Sequence, residues 1–448
     1  MKHLLKQLKA YRKESILGPL FKLLEAGFEL LVPLLVAAMI DQGVKLGDKS
    51  VIVWMSLMMV GLGLIGLLCS VTAQYFAAKA AVGSTTRLRR ALFAHLQTLS
   101  YTELDTIGAS TMLTRLTSDM NQVQSGVNLT LRLALRSPFV VFGAMVMAFT
   151  IDVHAASVFA IVIPILFAVV FGVMIVCIPL YRKVQARLDR VLGMTRENLT
   201  GVRVLRAFGR EEEQKREFSA RNDALTKEQN HVGRISVLLN PVTYVIINLA
   251  IVALIRTGAL RVESGALSQG DVIALYNYMS QILVELIKLA NLVLNITRAV
   301  ACCNRIGAVL EIESSQRSPQ TEPETTADAP AIEFRRAGLR YAGAGGDALD
   351  GISFRAEKGQ TIGVIGGTGS GKTTLINLIP RFYDATEGSV LVDGVPVEQY
   401  PLESLRRRIG VVPQKAVLFH GTIRENLLWG DPDAGDGTLR EALRAAQA

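Results

Sequence analysis

Apolar residues are gathered into six long blocks within the first 300 positions, and polar segments separate the blocks. A helix needs about 20 mostly apolar residues to cross the hydrocarbon core of a bilayer. The fourth block contains Val158–Ile178 without a charged residue, whereas Arg256, Glu285 and Lys288 interrupt the fifth and sixth. The pattern predicts six membrane-spanning helices, over roughly residues 17–40, 51–78, 133–151, 155–180, 237–258 and 272–297.

The segments between these predicted spans alternate between short and long, and basic residues concentrate in the long ones. The N-terminal tail holds five Lys and Arg residues, 79–129 holds five and 181–236 holds thirteen, against four in the three short loops together. An excess of Lys and Arg marks the cytoplasmic side of a membrane protein. We therefore expect a multi-pass protein of the cell membrane whose N-terminus, long loops and C-terminal segment are cytoplasmic.

The amino-acid composition excludes several classes of protein. Half of the 448 residues are hydrophobic, only 19% are charged, and there are four cysteines, so a disordered chain and a disulfide scaffold are excluded. The formal net charge of +9 follows from the basic loops. No basic patch is interleaved with aromatic residues, so the lipid bilayer is an expected partner and nucleic acid is not.

Both long loops have the composition of helices. Segments 79–99 and 181–235 are rich in Arg, Leu, Ala and Glu, so the membrane helices are predicted to continue beyond the bilayer. About 20 additional residues reach about 30 Å at 1.5 Å per residue. Each hairpin then needs a turn at its tip, and Tyr101–Ser110 and Val204–Glu211 suit these two turns.

The chain changes character after residue 310. Glu311–Pro330 is rich in Pro, Ser, Thr and Glu, which predicts a flexible linker between a membrane domain over 1–310 and a further domain over 331–448. The sequence of residues 331–448 predicts an α/β domain. Its predicted elements are short strands at Ile332–Phe334 and Leu339–Tyr341, a buried strand at Gly359–Ile365, a helix over Lys372–Phe382 and a helical stretch from Thr438.

A phosphate-binding loop lies between that buried strand and that helix. The segment fits the pattern G-x-x-x-x-G-K-[ST], in which backbone N–H groups and a helix N-terminus surround phosphate oxygens. Lys372 is expected to reach the β- and γ-phosphates, and Thr373 to offer its hydroxyl to Mg²⁺. The predicted cofactors are ATP and Mg²⁺, and the loop residues are Gly366, Gly367, Thr368, Gly369, Ser370, Gly371, Lys372, Thr373 and Thr374.

Polar residues within the spans are a second candidate site, because carboxylates inside a membrane need a cavity or a partner. Glu25 and Glu29 lie on one face of the first span. On the sixth span, spacings of 4, 4, 3 and 7 residues place a polar stripe on one helix face, formed by Asn277, Gln281, Glu285, Lys288 and Asn295. The stripe either lines a pathway or serves contacts between helices, including an i,i+3 pair of Glu285 with Lys288.

Taken together, the phosphate loop, the six spans, the two long hairpins and Ile409–Gly430 (IGVVPQKAVLFHGTIRENLLWG) resemble an ATP-binding cassette (ABC) transporter. The resemblance is to a half-transporter of the type I exporter class and covers essentially the whole chain except the linker. It implies an all-α six-helix membrane domain followed by an α/β P-loop nucleotide-binding domain that is incomplete at its C-terminus.

The resemblance assigns roles by position. Tyr341 is similar to the aromatic residue that stacks on adenine, and Gln414 to the Q-loop glutamine that contacts Mg²⁺ or water near the γ-phosphate. The hairpin tips YTELD and VLRAFGRE resemble coupling helices, which contact nucleotide-binding domains; their residues are Tyr101, Glu103, Asp105, Ala207, Phe208 and Gly209. In this family the sixth helix lines the translocation pathway, so Gln281, Glu285 and Lys288 are candidate lining residues. The two carboxylates of the first span, Glu25 and Glu29, are included with them.

Three motifs of the family are absent from this sequence: the signature motif, the second acidic motif with its catalytic carboxylate, and the switch histidine. Val390–Asp393 imitates the acidic motif, but it precedes the Q-loop region and is predicted to be a strand and turn. We expect no catalytic residue in this chain, which we interpret as truncated. On that interpretation it binds ATP–Mg²⁺ weakly or not at all and does not hydrolyse it productively, so its status as an enzyme is open.

The function implied by the resemblance is ATP-driven export of a small or amphiphilic substrate by one half of a dimer. The sequences of the Q-loop region and of the first span resemble those of bacterial exporters that pair two different subunits. A heterodimer is therefore favoured, and a homodimer is possible. Two alternatives stay open. One is a membrane-tethered P-loop kinase, and the other is a truncated, non-transporting subunit that occupies a partner.

Overall fold

The structure is a computed structural model that describes residues 1–326 and 328–447. Its internal contacts divide the chain into two units. The first contains Met1–Thr98 and Ile107–Glu313, and the second contains Leu99–Thr106 and Ser314–Ala448. The tip of the first long hairpin therefore belongs to the second unit, although both of its arms belong to the first.

Helices account for nearly all of the chain up to Leu310. In chain order they are α1 (Lys2–Leu8), α2 (Arg12–Ala38), α3 (Lys49–Leu96), α4 (Tyr101–Ile107), α5 (Ala109–Thr114), α6 (Met120–Leu133), α7 (Arg136–Ile151), α8 (Val153–Thr200), α9 (Val202–Ala207), α10 (Glu211–Val237), α11 (Leu239–Glu263) and α12 (Gln269–Leu310). Short 3₁₀ or π turns join some of them, at Lys9–Tyr11, Met39–Val44 and Arg115–Asp119. The α4 helix is the hairpin tip that belongs to the second unit.

Six helical stretches are long and apolar enough to cross a membrane, among the residues that the structure describes. The longest uninterrupted helices, α3 and α8, each have 48 residues, or about 72 Å at 1.5 Å per residue. They are longer than a bilayer requires, as the sequence predicted. None of the most apolar window of α3 is buried in the protein, so its outer surface suits lipid.

The core of the first unit combines small residues with a few large ones. Phe159 and Tyr278 are fully buried, and the Tyr278 hydroxyl donates a hydrogen bond to the Leu30 carbonyl oxygen at 2.7 Å. At Gly270, a Cβ atom would lie 2.3 Å from the Ala37 carbonyl oxygen. Since real side chains do not approach backbone this closely, α12 begins where α2 leaves room only for glycine.

The second unit is built on a four-stranded antiparallel sheet. Its strands run in the order β2-β1-β3-β4, and Phe334 and Val390 are paired in register across β1 and β3 within the core. The elements are β1 (Ile332–Leu339), β2 (Leu349–Ala356), α13 (Lys372–Leu378), β3 (Glu387–Val392), β4 (Val395–Pro396), α14 (Leu402–Arg407), α15 (Ile423–Leu427) and α16 (Asp436–Ala446).

Some predicted elements of this unit are confirmed and others are wrong. Val390–Asp393 is a strand end and a turn, since β3 ends at Val392 and Asp393 and Gly394 both have positive φ. The two short strands predicted between 332 and 341 are one strand, β1. The predicted buried strand Gly359–Ile365 is wrong: the segment is irregular and Ile365 is 98% exposed. No strand in the described part of the chain pairs with it, so its apolar residues have no sheet to enter.

Candidate functional site

The phosphate loop joins this irregular segment to α13, and its shape depends on glycine. Gly369 and Gly371 have φ values of 83° and 86°, in the left-handed region that favours glycine. A Cβ at Gly371 would also lie 2.8 Å from the Ala348 carbonyl oxygen. The loop therefore has the tight backbone path of a phosphate cradle, and residues 366–370 are open to solvent.

Lys372, the first residue of α13, folds back over this loop. Its Nζ donates hydrogen bonds to the carbonyl oxygens of Gly366, at 2.8 Å, and Gly367, at 2.6 Å, and to Ser370 Oγ at 3.2 Å. The ammonium group thus lies at the mouth of the loop, where phosphate oxygens can replace these acceptors. With Thr373 exposed beside it, the loop fits a nucleotide polyphosphate and a Mg²⁺ ion.

Tyr341 lies next to the loop helix. Its hydroxyl donates a hydrogen bond to Oγ1 of the buried Thr374 at 3.0 Å. Its ring meets the ring of Tyr383 edge-on, with centroids 5.1 Å apart. The structure therefore brings the predicted adenine-stacking residue to the predicted phosphate loop.

Gln414 lies in an irregular, exposed segment that follows α14. Among the described residues no hydrogen bond joins its side chain to the loop residues Lys372 or Thr373. The role of Gln414 near the γ-phosphate therefore stays a prediction.

The first hairpin tip, α4, packs within the second unit on a turn that follows α13. The Tyr101 ring contacts the rings of Phe382 and Tyr383, at centroid distances of 5.0 and 6.0 Å. Asp105 Oδ2 accepts a hydrogen bond from the Tyr383 hydroxyl at 2.5 Å. Burial by itself, and then the bond to Asp105, raises the pKa of Tyr383 well above its usual range.

Glu103 joins the same tip to Ser315, near the start of the second segment of this unit. Its carboxylate accepts hydrogen bonds from the Ser100 N–H and from the Ser315 N–H, at 2.9 and 3.4 Å. Burial by itself raises the pKa of Glu103, but the bonds from Ser100 and Ser315 outweigh it and hold this pKa below its usual value. All three predicted tip residues, Tyr101, Glu103 and Asp105, therefore make contacts inside the second unit.

The second hairpin tip differs. Ala207 ends the short helix α9, Phe208 follows it, and Gly209 has a φ of 60° that turns the chain into α10. Phe208 is 77% exposed. This tip therefore presents an aromatic side chain to solvent.

Within the first unit, four of the predicted lining residues share one cavity of about 390 Å³. Glu29 reaches it from α2, and Gln281, Glu285 and Lys288 reach it from α12, together with Asn277. Lys288 Nζ donates to Glu285 Oε1 at 2.8 Å, which is the i,i+3 pair considered from the sequence. Both interpretations of the polar stripe are thus compatible with its position.

Two polar residues singled out from the sequence lie outside this cavity: Glu25 of the candidate lining and Asn295 of the polar stripe. Glu25 accepts a hydrogen bond from Lys22 on its own helix at 2.5 Å, and Lys22 also reaches Ser70 on α3. Asn295, at the C-terminal end of the stripe, donates to the Asn291 carbonyl oxygen of its own helix. Neither residue lines the cavity, so the face of the helix alone does not decide which polar residues meet.

The sequence analysis missed the residue at the centre of this cluster. Arg136, at the start of α7, donates to Glu285 Oε1 and to Glu29 Oε2, each at 2.5 Å. Ser137 donates to the other oxygen of Glu285 at 2.8 Å. An arginine inside a predicted span was the available signal, since such a residue needs an acidic partner within the membrane.

Comparisons with known proteins agree with this arrangement. Residues 15–286 match the family model for the ABC transporter transmembrane region, and residues 349–448 match the model for ABC transporters, which implies ATP binding. The first match covers most of the helical unit, and the second covers the part of the other unit that carries the phosphate loop. This leaves the kinase interpretation without support.

Relatives align with nearly the whole chain. The ABC transporter ATP-binding protein YfiB of Bacillus subtilis is 34% identical over 448 residues, covering all of this chain and 78% of the relative. The protein Rv1273c of Mycobacterium tuberculosis, with the same description, is 35% identical and covers 98% of this chain and 76% of its own length. An ATP-dependent lipid A-core flippase of Chromobacterium violaceum is 28% identical, covering all of this chain and 76% of the flippase.

The chain has six membrane-capable helical stretches followed by a phosphate loop, and relatives match it over nearly its whole length: it belongs to the ABC transporters, as an exporter-type half-transporter with a membrane domain fused to an ATP-binding domain.

Proposed function

We propose that this half-transporter uses ATP to move an amphiphilic molecule out across the cell membrane. The observation that carries the proposal is the packing of α4 on Phe382 and Tyr383, in the unit that contains the phosphate loop. A hairpin tip held there can transmit a change at the nucleotide to the helices on either side of it in the chain. The tip residues Tyr101, Glu103 and Asp105 then act as a coupling helix.

ATP is proposed to bind with its phosphates in the loop 366–374 and its adenine on Tyr341. Lys372 neutralises phosphate charge after it exchanges its bonds to Gly366 and Gly367 for phosphate oxygens. Mg²⁺, when bound by Thr373 and Gln414, supplies further charge neutralisation between the phosphates. The exposed loop and the position of Tyr341 beside Thr374 support this assignment.

The working assembly is proposed to contain a second half-transporter subunit, because one chain has one phosphate loop and half of the helices of an exporter. The exposed Phe208, with Ala207 and Gly209, is available to contact the nucleotide-binding domain of that subunit. We favour a heterodimer, and a homodimer is the alternative. The excess of Lys and Arg in the long loops supports a cytoplasmic N-terminus and nucleotide-binding domain.

The substrate is proposed to be an amphiphile with a polar head group that enters the 390 Å³ cavity. Two cations, Arg136 and Lys288, balance two carboxylates, Glu29 and Glu285, so the cavity is polar without excess charge. A polar but balanced site suits a neutral or dipolar group on an apolar body. A relative named as a lipid A-core flippase supports a substrate of lipid type.

The proposal is tested by nucleotide capture and by transport. We expect a photoreactive azido-ATP to label the protein in lipid nanodiscs, and Lys372→Ala to reduce that labelling by about tenfold or more, because the lysine contacts the phosphates. Lys227→Ala, which removes an exposed lysine from α10, is the matched control and leaves labelling unchanged. Equal labelling of all three proteins would contradict the nucleotide site.

Transport is measured after reconstitution with the partner subunit, as ATP-dependent movement of a fluorescent lipid between the leaflets of proteoliposomes. Movement that needs both ATP and Lys372 is the expected result. Nucleotide capture without any movement of lipid would favour a non-transporting subunit and would contradict the lipid-type substrate.

A further inference from the structure

One tyrosine touches both the proposed base site and the first hairpin tip. The ring of Tyr383 meets the ring of Tyr341 edge-on at 5.1 Å, and it lies against the ring of Tyr101 at 6.0 Å. Its hydroxyl donates to Asp105 Oδ2 at 2.5 Å. Two contacts therefore connect Tyr341 to α4: ring edge to ring face, then hydroxyl to carboxylate.

The backbone on which Tyr383 stands is fixed by its neighbour Arg381. This arginine is buried and has a φ of 54°. Its Nε donates to Asp384 Oδ1 at 2.6 Å, and its Nη1 donates to the carbonyl oxygens of Arg317 and Glu398 at 3.0 and 3.3 Å. Because both sides of Tyr383 are anchored, a change in its surroundings is transmitted through its ring and hydroxyl rather than lost in backbone motion.

A cavity of about 500 Å³ borders the same residues. Tyr341, Tyr383, Thr102 and Asp105 contribute to its wall, and so does Thr386. The rings are thus packed on one side and free on the other, which leaves Tyr341 able to reorient when a base stacks on it. A reorientation of Tyr341 must move or restrict Tyr383, since their rings are in contact.

We propose that Tyr383 is a positioning residue that makes the order of the tip Tyr101–Thr106 depend on whether a base occupies Tyr341. This inference rests on the proposed function, since it requires ATP at the loop. It adds a route that runs through the base, in addition to the route through Gln414 near the γ-phosphate. A nucleotide without a base then occupies the loop but leaves the tip unchanged.

The bond from Tyr383 to Asp105 suits this task. A neutral hydroxyl that donates to a carboxylate forms a charge-assisted hydrogen bond, which is stronger and more directional than one between neutral groups. The raised pKa of Tyr383 is consistent with a hydroxyl that keeps its proton in this contact. The bond is therefore a discrete link that a single oxygen atom supplies and that Tyr383→Phe removes while both ring contacts remain.

The experiment measures hydrogen–deuterium exchange of the peptide that contains residues 101–106, with the full chain in lipid nanodiscs. Three conditions are compared: no ligand, saturating tripolyphosphate with Mg²⁺, and saturating ATP with Mg²⁺. We expect ATP to slow exchange of this peptide by about fivefold or more relative to tripolyphosphate. In Tyr383→Phe, ATP and tripolyphosphate are expected to differ by less than about twofold, while the dissociation constant for ATP changes by less than about threefold.

The matched control is Tyr400→Phe. Tyr400 is a fully buried tyrosine of the same unit whose hydroxyl donates to the Val392 carbonyl oxygen at 2.9 Å and does not contact the tip. This variant is expected to keep the wild-type difference between ATP and tripolyphosphate. A structural loss unrelated to the base would affect both tyrosine variants, or would alter the tip equally in all three conditions.

Two results overturn the inference while ATP binding stands: equal protection of the tip by ATP and tripolyphosphate in the wild type, or a full wild-type difference in Tyr383→Phe. Failure of the proposed function is seen separately, as azido-ATP labelling that does not depend on Lys372. That result also overturns the inference, because no base would then reach Tyr341.

Discussion

The guanidinium of Arg136 lies 2.5 Å from Glu285 on α12 and 2.5 Å from Glu29 on α2, so one side chain at the start of α7 joins three helices. The side chains of Arg136 and Glu285 are only 8% and 4% exposed. Water therefore screens their attraction little, and Lys288 adds a second contact to Glu285 at 2.8 Å. The cluster fixes the arrangement of these helices around the cavity.

Arg136→Met is expected to lower the free energy of unfolding by about 3–5 kcal/mol, because it leaves two carboxylates without their shared cation inside the protein. The loss of stability is measured by thermal unfolding in detergent. Unfolding is monitored through the reaction of the buried cysteines Cys302 and Cys303 with a thiol-reactive dye. The matched variant Lys288→Met removes a cation from the same carboxylate. Lys288 is 43% exposed, so its loss is expected to cost less than about 1 kcal/mol. Equal losses in the two variants would contradict the central role of Arg136.

Gly270→Ala is expected to destabilise the first unit by about 1–3 kcal/mol, the usual cost of overpacking. The new Cβ would lie 2.3 Å from the Ala37 carbonyl oxygen and 2.5 Å from Asp41 Oδ2, so α12 must move away from α2. Gly172→Ala on α8 is the control, since a Cβ there meets no atom of the described residues within 4 Å. The same dye assay compares the two, and a Gly270→Ala protein as stable as the Gly172→Ala protein would show that the helices adjust without strain.

The parts of the fold that depend on local patterns could be predicted from the sequence. A span needs only a run of apolar residues, and a phosphate loop needs only glycines and a lysine at fixed spacing, so both are visible without the structure. The segment Gly359–Ile365 was misjudged for the converse reason. Its apolar run is compatible with a buried strand, but a strand also needs neighbours, and local pattern carries no information about them.

The parts of the candidate site that depend on distant contacts could not be predicted. Arg136 meets residues 107 and 149 positions away, and Tyr383 meets a residue 278 positions away. Helix periodicity placed Glu29, Glu285 and Gln281 on suitable faces. Periodicity also allows the i,i+3 pair of Lys22 with Glu25, but it could not show that Lys22 reaches Ser70, because that contact depends on the packing of α2 against α3.

Gln281→Leu is expected to affect transport more than stability. Gln281 Oε1 is buried and has no hydrogen-bond partner among the residues that the structure describes, so replacing it with an apolar group leaves the free energy of unfolding unchanged or slightly higher. If that oxygen receives a donor from the substrate head group, KM for transport rises by about 2–10-fold, which corresponds to one hydrogen bond. Lipid movement in proteoliposomes with the partner subunit measures KM.

Asn295→Leu is the control for this substitution, because Asn295 lies on the same face of α12 but outside the cavity and bonds within its own helix. It is expected to leave KM unchanged. A Gln281→Leu complex with unaltered KM, or an equal rise of KM in both variants, would argue that the cavity does not receive the head group.

The Tyr383 hydroxyl is expected to keep its proton as pH rises through about 10, the ordinary pKa of tyrosine. A group whose pKa is raised by folding contributes stability that is fully present below its unfolded pKa and is lost as pH rises through the folded pKa. Burial and the bond to Asp105 raise the pKa of Tyr383, so the contact with α4 should persist at pH 10 and weaken only at more alkaline pH. The difference in tyrosinate absorbance between the wild type and Tyr383→Phe reports this ionisation. Asp105→Asn removes the carboxylate and is expected to bring the ionisation to lower pH. Two results would contradict this prediction: a midpoint near pH 10 in the wild type, or a midpoint that Asp105→Asn does not change. Either would mean that Asp105 does not hold the hydroxyl, so the link from Tyr341 to the tip would lack its second contact.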